Sequence, residues 1–389
     1  MNTRKKRMLN PIGNTMKLQW TGRSRLAALG WFLFAMSAAL WIGPAVANDD
    51  WAAGAGPEWD AALSAARAEG LVVVAGPAQI AEKMATAFEK DTGIKIDYLG
   101  GSNRDVRTRF GKELAAGVLS IDVRLGGGTE VSLAGSDVFA SQSENLLLPS
   151  VSDPANWRGD LIKWVDNANT YMPVPNEYVF GWALVNRDMA PEGAVLTWQD
   201  LLKPEFKGKI IAFDPTIPGP GQAAFAYLGH RFGEDYLRQL LFDQKVTVVR
   251  QGRQVVESVV LGNHAIALGA VAPHVERFRA AGIDNIYVPE MSDGPGSLVG
   301  GSSVPLIAKN APHPNAAVVF LNWYMSSRGQ KIFQDVWQTP SRRRDLSHEG
   351  LPAYVIPQDD KVYLDQYREE WYLGGRQHWS KYLREIIGN

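Results

Sequence analysis

LVVVAGPAQIAEKMATAFEKDTGIKIDYLGGSNRDVRTRFGKELAAGVLSIDVRLGGG, residues 71–128, alternates strand and helix signals, with a loop of small residues after every strand. Residues 71–74 are a β-branched apolar run that Gly76 and Pro77 stop. Ile80, Met84, Ala87 and Phe88 then recur at helical spacing until Gly93 ends the helix. Residues 94–98 read as a second strand, closed by Gly100-Gly101-Ser102-Asn103. Val106, Phe110 and Leu114 mark the next helix and Gly117 its end; residues 121–123 form a third strand, broken by Gly126-Gly127-Gly128. Strands alternating with helices predict an α/β fold whose mostly parallel sheet is covered on both faces. In such sheets a ligand sits beyond the carboxyl ends of the strands, where these three loops fall.

Upstream, residues 1–47 carry seven basic side chains (Arg4, Lys5, Lys6, Arg7, Lys17, Arg23, Arg25) and no acid. An 18-residue apolar run at 26–43 and the small-x-small pattern Ala45-Val46-Ala47 follow. Together these predict a cleavable secretory signal, removed after Ala47, and a periplasmic mature protein; an uncleaved membrane anchor is the alternative. Removing those seven positive charges would take the formal net charge from −1 to −8. The absence of cysteine excludes disulfide stapling, so stability must come from large cores. No basic cluster after the signal points to nucleic acid.

Residues 48–57 are Gly/Ala-rich and expected to be a flexible lead-in, followed by a short helix at 58–69 that Gly70 stops. Residues 131–149 suit a helix and a loop, and 153–175 are aromatic and irregular. Residues 178–185 read as a long apolar strand crossing to a second lobe, which repeats the logic of the first. There, strands at 210–213, 246–249, 265–268 and 286–288 alternate with helices at 223–232, 254–259 and around Val275 and Phe278. Residues 298–307 look like the return crossing, with helices at 314–325 and 327–337 after it. The tail, 359–389, reads as an amphipathic helix packed on one of the lobes. The expected division is residues 48–180 with 300–389 in one lobe and 181–299 in the other. Two crossing strands would then serve as a hinge, with the cleft between the lobes.

Four pieces resemble a known family: Ala87-Phe-Glu-Lys-Asp-Thr-Gly-Ile-Lys-Ile96; Phe110-Gly-Lys-Glu-Leu-Ala-Ala-Gly117 followed by Ile121-Asp-Val123; Trp198-Gln-Asp-Leu-Leu-Lys-Pro-Glu-Phe-Lys-Gly-Lys-Ile210 leading to Asp214-Pro-Thr216; and Ala316-Ala-Val-Val-Phe-Leu-Asn-Trp-Tyr-Met-Ser-Ser-Arg-Gly-Gln330 with Thr339-Pro-Ser-Arg342 downstream. In this order they resemble periplasmic solute-binding proteins of ABC importers, in the group that includes ferric-ion, thiamine, polyamine and phosphorylated-compound binders. The resemblance implies a two-lobed fold, no catalysis and no cofactor. It also implies a small-molecule solute, an inner-membrane permease and ATPase as partners, and a monomeric binder. The ferric members hold iron with adjacent tyrosines after the strand matching 265–268; here the residues are Ala270-Val-Ala-Pro-His274. Fe³⁺ prefers anionic oxygen, so a ligand recognised by hydrogen bonds is expected instead. Ferric-ion and polyamine or thiamine binding remain the alternatives within the family. A secreted hydrolase or transferase is a remote one, and a sensor subunit for a membrane kinase uses the same fold.

The candidate ligand contacts are loop positions. Gly76, Ser102, Asn103, Gly127 and Thr129 belong to the first lobe, and Ser102 and Asn103 stand where a helix starts and could meet a phosphate or carboxylate. A plain helix cap is the alternative for Ser102. Thr216, Gly219, Gly221 and Gln222 form the joint of the second lobe where the resemblance implies contacts, and Gly269 ends another strand there. Arg253 precedes a helix and could pair with an oxyanion or be a solvated surface arginine; Glu177, at the crossing beside Tyr178, could bind an amine or pack in the hinge. Arg104, Arg107 and Arg253, all near loops, favour an anionic organic ligand. No G-x-S-x-G, H-E-x-x-H, Walker or G-x-G-x-x-G motif occurs, and the six histidines fall singly without metal-ligand spacing, so neither catalytic nor metal residues are assigned.

Overall fold

The computed structural model describes residues 50–388. The expected signal and its cleavage after Ala47 lie outside the described residues. No helix among the described residues is long and apolar enough to cross a membrane.

The expected flexible lead-in is packed from residue 51 onward: Trp51 is buried edge-to-face on Trp59, centroids 5.8 Å apart. The chain continues through α1 (Pro57–Glu69), β1 (Leu71–Pro77), α2 (Ala81–Thr92), β2 (Lys95–Gly101), α3 (Asn103–Ala116) and β3 (Val123–Gly126). Gly93 and Gly117 end α2 and α3 in the left-handed region, at φ 76° and 66°, which only glycine adopts without cost. Residues 131–149 differ from expectation, forming 3₁₀ turns at Gly128–Leu133 and Ser143–Asn145 and the single turn α4 (Pro149–Ser152). Ser132 and Ser136 there donate their hydroxyls to nearby carbonyls, a local alternative to a helix.

The long strand expected at 178–185 is two strands, β4 (Tyr178–Phe180) and β5 (Ala183–Asn186), parted at Gly181 with φ 87°. The chain then forms β6 (Ile210–Phe213), α5 (Pro220–Arg238, broken at Gly233), β7 (Thr247–Val249), α6 (Gly252–Val260), β8 (Ile266–Leu268), α7 (Ala272–Ala280) and β9 (Ile286–Tyr287). It returns through β10 (Ser297–Val299) and β11 (Val304–Ile307) into α8 (Pro314–Met325) and α9 (Ser327–Trp337). Last come β12 (Leu364–Asp365), a π-helical turn at Trp371–Gly375, and α10 (Arg376–Ile387), so the tail is more divided than one amphipathic helix.

The fold has two lobes. One sheet has the order β11-β3-β1-β2, with β1 parallel to both neighbours and only β11 antiparallel. The other has the order β7-β6-β8-β5-β9; its β7, β6 and β8 are parallel, but both pairings of β5 are antiparallel. This second sheet is therefore mixed. β5 enters it directly from the crossing, without the helical connection that parallel neighbours require. A small third sheet, β12-β10-β4, joins the two crossings. Behind the first sheet Phe88, Phe320 and Trp323 pack together, Phe88 and Trp323 edge-to-face at 5.3 Å. Leu184, Ile211, Val255, Val259 and Ala267 fill the space between the second sheet and α6. In the tail, Trp379 covers Gly229 of α5 and Tyr372 covers Gly128, where added Cβ atoms would lie 2.5 and 2.0 Å from the rings.

Candidate functional site

The loops at the carboxyl ends of both main sheets meet around a cavity of about 630 Å³. Pro77–Gln79, Gly101–Asp105 and Gly127–Thr129 line it from β1, β2 and β3. From the other lobe come Phe213 and Ile217–Pro220 after β6, Arg250–Gly252 after β7, and Gly269, Val271 and His274 after β8. The crossings and the tail close it with Tyr178, Val299, Tyr367, Tyr372 and Arg376. The first residues of α3, α5 and α6 and the residue before α7 lie on this wall, so several helix N-termini, each carrying partial positive charge, border one space.

The loops of the first lobe are held by a buried ion pair. Arg124 and Glu130 have side chains 0% and 1% exposed, and Arg124 Nε–H donates to Glu130 Oε1 at 2.9 Å. Arg124 Nη2 also donates to Asn103 Oδ1 at 2.6 Å. Glu130 Oε2 accepts the Gly127 N–H at 3.1 Å and the Thr129 hydroxyl at 2.9 Å. Three cavity-lining residues from two loops are thereby tied to one pair of charges. Ser102 caps α3, accepting the Asp105 N–H at 3.2 Å while donating its hydroxyl to Asp105 Oδ2 at 2.6 Å.

Of the positions singled out by sequence, Ser102, Asn103, Gly127, Thr129, Gly219 and Gly269 line the cavity together. The other six are placed elsewhere. Gly76 and Gly221 are packing glycines: a Cβ would fall 2.6 Å from Tyr98 Oη at the first and 2.1 Å from the Phe213 carbonyl oxygen at the second. Glu177 is engaged by Lys163 and lies 3.6 Å from Arg342 Nε, so its carboxylate already has two cations. Thr216 donates to Asp214 Oδ1 at 2.5 Å beside a separate shallow cavity. Gln222 donates to Ser380 Oγ at 2.7 Å and accepts from Arg376 at 3.1 Å, and it lines a neighbouring cavity. Arg253 pairs with Glu257 at 2.5 Å on an exposed helix face. Arg104 lines the cavity, whereas Arg107 lines an adjoining one that shares Thr129, Pro218, Tyr372 and Arg376 with it.

Sequence reasoning missed Arg376. It is 6% exposed and lines the cavity, yet it makes no ion pair among the described residues. Its donors go to neutral oxygens: Gln222 Oε1 at 3.1 Å, Gln366 Oε1 at 3.2 Å and the Gly219 carbonyl at 3.2 Å. The guanidinium also lies over the Tyr372 ring, 5.2 Å from its centroid. Nothing in the local pattern of the tail marks this arginine as buried, because its partners lie more than 150 residues away or in an irregular segment. Three tyrosines also reach the cavity. Burial raises the phenols of Tyr178, Tyr367 and Tyr372 above the usual range, so they stand protonated in the empty cavity. Among the described residues no group of three or more His, Asp or Glu side chains could hold a metal ion. His274 is held below the ordinary imidazole range by burial first, and then by Arg253 and Arg277.

Residues 71–336 match the bacterial extracellular solute-binding proteins, and the chain belongs to that family, whose members bind solutes. No curated protein matches the sequence significantly. Among solved structures the chain is similar to iron-bound HitA from Pseudomonas aeruginosa, at 16% identity and a TM-score of 0.63, covering 81% of this chain and 99% of that one. It is similar also to AfuA from Actinobacillus pleuropneumoniae with fructose-6-phosphate bound (18%, 0.59, 82% and 98%) and to a periplasmic thiamin binding protein (16%, 0.62, 82% and 96%). At these identities the likeness shows the two-lobed periplasmic-binding-protein fold.

Proposed function

We propose that this chain is the periplasmic solute-capturing component of an ABC importer and that its solute is an anionic organic molecule. The solute enters between the lobes, is held by loops from both, and is passed to an inner-membrane permease driven by its ATPase. The protein itself catalyses nothing and acts as a monomer. The two lobes are residues 48–180 with 300–389 and residues 181–299, moving about the β4–β10 crossing, with the C-terminal segment seated on both. Closure is driven by the ligand's greater affinity for the closed form. Arg376 carries the reading of charge: a guanidinium taken out of water costs several kcal/mol unless a negative group compensates it, and the described residues place none against it. The helix N-termini on the same wall act in the same direction. The fructose-6-phosphate bound to AfuA shows that a similar fold accepts a phosphorylated solute.

A thermal-shift screen tests this, using phosphorylated sugars, organic phosphonates, carboxylates, polyamines and ferric complexes. A solute at 100 times its Kd stabilises the protein by about 2.7 kcal/mol. The expected result is stabilisation by organic anions; a shift with ferric complexes or polyamines alone would refute the reading.

A further inference from the structure

Phe213 closes β6, and its half-buried side chain lines the cavity. It packs from below on the core of the second sheet but, among the described residues, has no aromatic partner. Its ring is bordered by glycines: Cβ atoms added at Gly219 and Gly252 would lie 3.6 Å from Cε1 and Cε2, and one at Gly269 would lie 3.1 Å from the Phe213 Cβ. At these three positions no side chain stands against the ring, while Ile217, Pro218, Gln251, Val271 and His274 of the same stretches line the cavity around it. Gly219 is also the residue whose carbonyl accepts from Arg376 Nη2 at 3.2 Å. One residue thus separates an uncovered ring from a buried cation, a gap of at most roughly 10 Å on backbone dimensions. On the other flank, His274 would meet a Gly252 Cβ at 3.5 Å, and its depressed pKa leaves it a neutral imidazole at pH 7.

We infer that the solute is a planar aromatic or heteroaromatic anion: a ring that stacks on Phe213, with a carboxylate or phosphate joined to it directly or through one atom and directed at Arg376. This rests on the anion reading above and narrows it. A saturated ring can lay its C–H bonds on the Phe213 face, but it lacks the ring quadrupole that makes an aromatic pair worth more than its buried area. A flat apolar ring loses nothing there and gains the offset-stacked contact that aromatic pairs favour.

Matched pairs test this, because each member of a pair carries the same anion on a ring of the same size. Phenyl phosphate is compared with cyclohexyl phosphate, and benzoate with cyclohexanecarboxylate, by calorimetric titration of the whole protein. The aromatic member of at least one pair is expected to bind about 3- to 10-fold more tightly, the range a ring pair contributes beyond simple area burial. The pair with the larger preference tells phosphate from carboxylate. Phe213→Leu keeps apolar bulk and should shrink the ratio to within about twofold while leaving the cyclohexyl affinities near wild type; its urea midpoint checks folding independently. Equal or tighter binding of the cyclohexyl compounds, or an aromatic preference that survives in Phe213→Leu, overturns the inference while the anion reading stands. Failure of all four compounds to bind overturns this inference, and if a cation binds instead the anion reading fails with it.

Discussion

Replacing Arg376 with Gln should weaken solute capture greatly while changing the stability of the empty protein little. Two opposing terms set the second half of that expectation. The three hydrogen bonds from the guanidinium to Gln222, Gln366 and Gly219 are each of the charged kind, worth about 1.5–3 kcal/mol apiece, though not additively. Against them stands the cost of burying the cation without a counter-charge, still several kcal/mol after relaxation. Gln keeps two amide N–H donors for the oxygens left behind and removes the charge, so the net change in urea unfolding should be within about 2 kcal/mol of zero, of either sign. Binding has no such cancellation. Truncating one partner of a buried, hydrogen-bonded charge pair costs about 2–5 kcal/mol, roughly 30-fold to several-thousand-fold in Kd. Calorimetry with the tightest compound from the screen measures the first quantity and urea titration the second. Arg376→Lys should recover part of the affinity, since the charge returns without the planar fork. A variant that binds within threefold of wild type yet loses more than about 3 kcal/mol of stability would show Arg376 to be a strut, and the charge argument would be wrong.

Glu130→Gln should destabilise by about 3–5 kcal/mol in urea, because Arg124 is left buried without its partner; a loss below about 1 kcal/mol would mean that the pair does not hold the loops of the first lobe. Binding of a carboxylate, whose own charge is constant over the window, should tighten as pH falls below about 6.5. His274 has a folded pKa below its unfolded value, so as pH falls through the unfolded value the unfolded chain takes up the proton first and stability declines. A bound anion raises the folded value and reverses that local effect against Arg253, Arg277 and the favourable Glu257. Titrations in two buffers of different ionisation enthalpy should show proton uptake on the acid side of the ordinary imidazole range that disappears in His274→Asn; identical profiles for the two proteins would exclude His274.

The parts of the fold that were legible in sequence are those set by neighbours along the chain. Gly93 and Gly117 stop helices because of their own backbone freedom, and α8 and α9 begin and end where their apolar spacing predicts. What escaped depends on partners remote in sequence. The carboxylate of Glu177 reads as free until Lys163 and Arg342 arrive beside it. Gly76 and Gly221 look like ligand-approach glycines, yet what approaches them is Tyr98 and the chain's own carbonyl at Phe213. The direction of β5 depends on a crossing that carries no periodic signal, and the tail is organised by Gly128 and Gly229 receiving its rings.

Those two glycine seats bear on the closure proposed above. Tyr372 sits on a loop of the first half and Trp379 on a helix of the second, only seven positions apart along one short segment. Whichever half that segment travels with, any swing apart wide enough to admit a solute must unseat one ring or bend the chain between them, and Arg376 stands midway. Gating and sensing would then share a single mechanical joint, so that a negative group arriving at the arginine bears directly on whether the jaws stay shut.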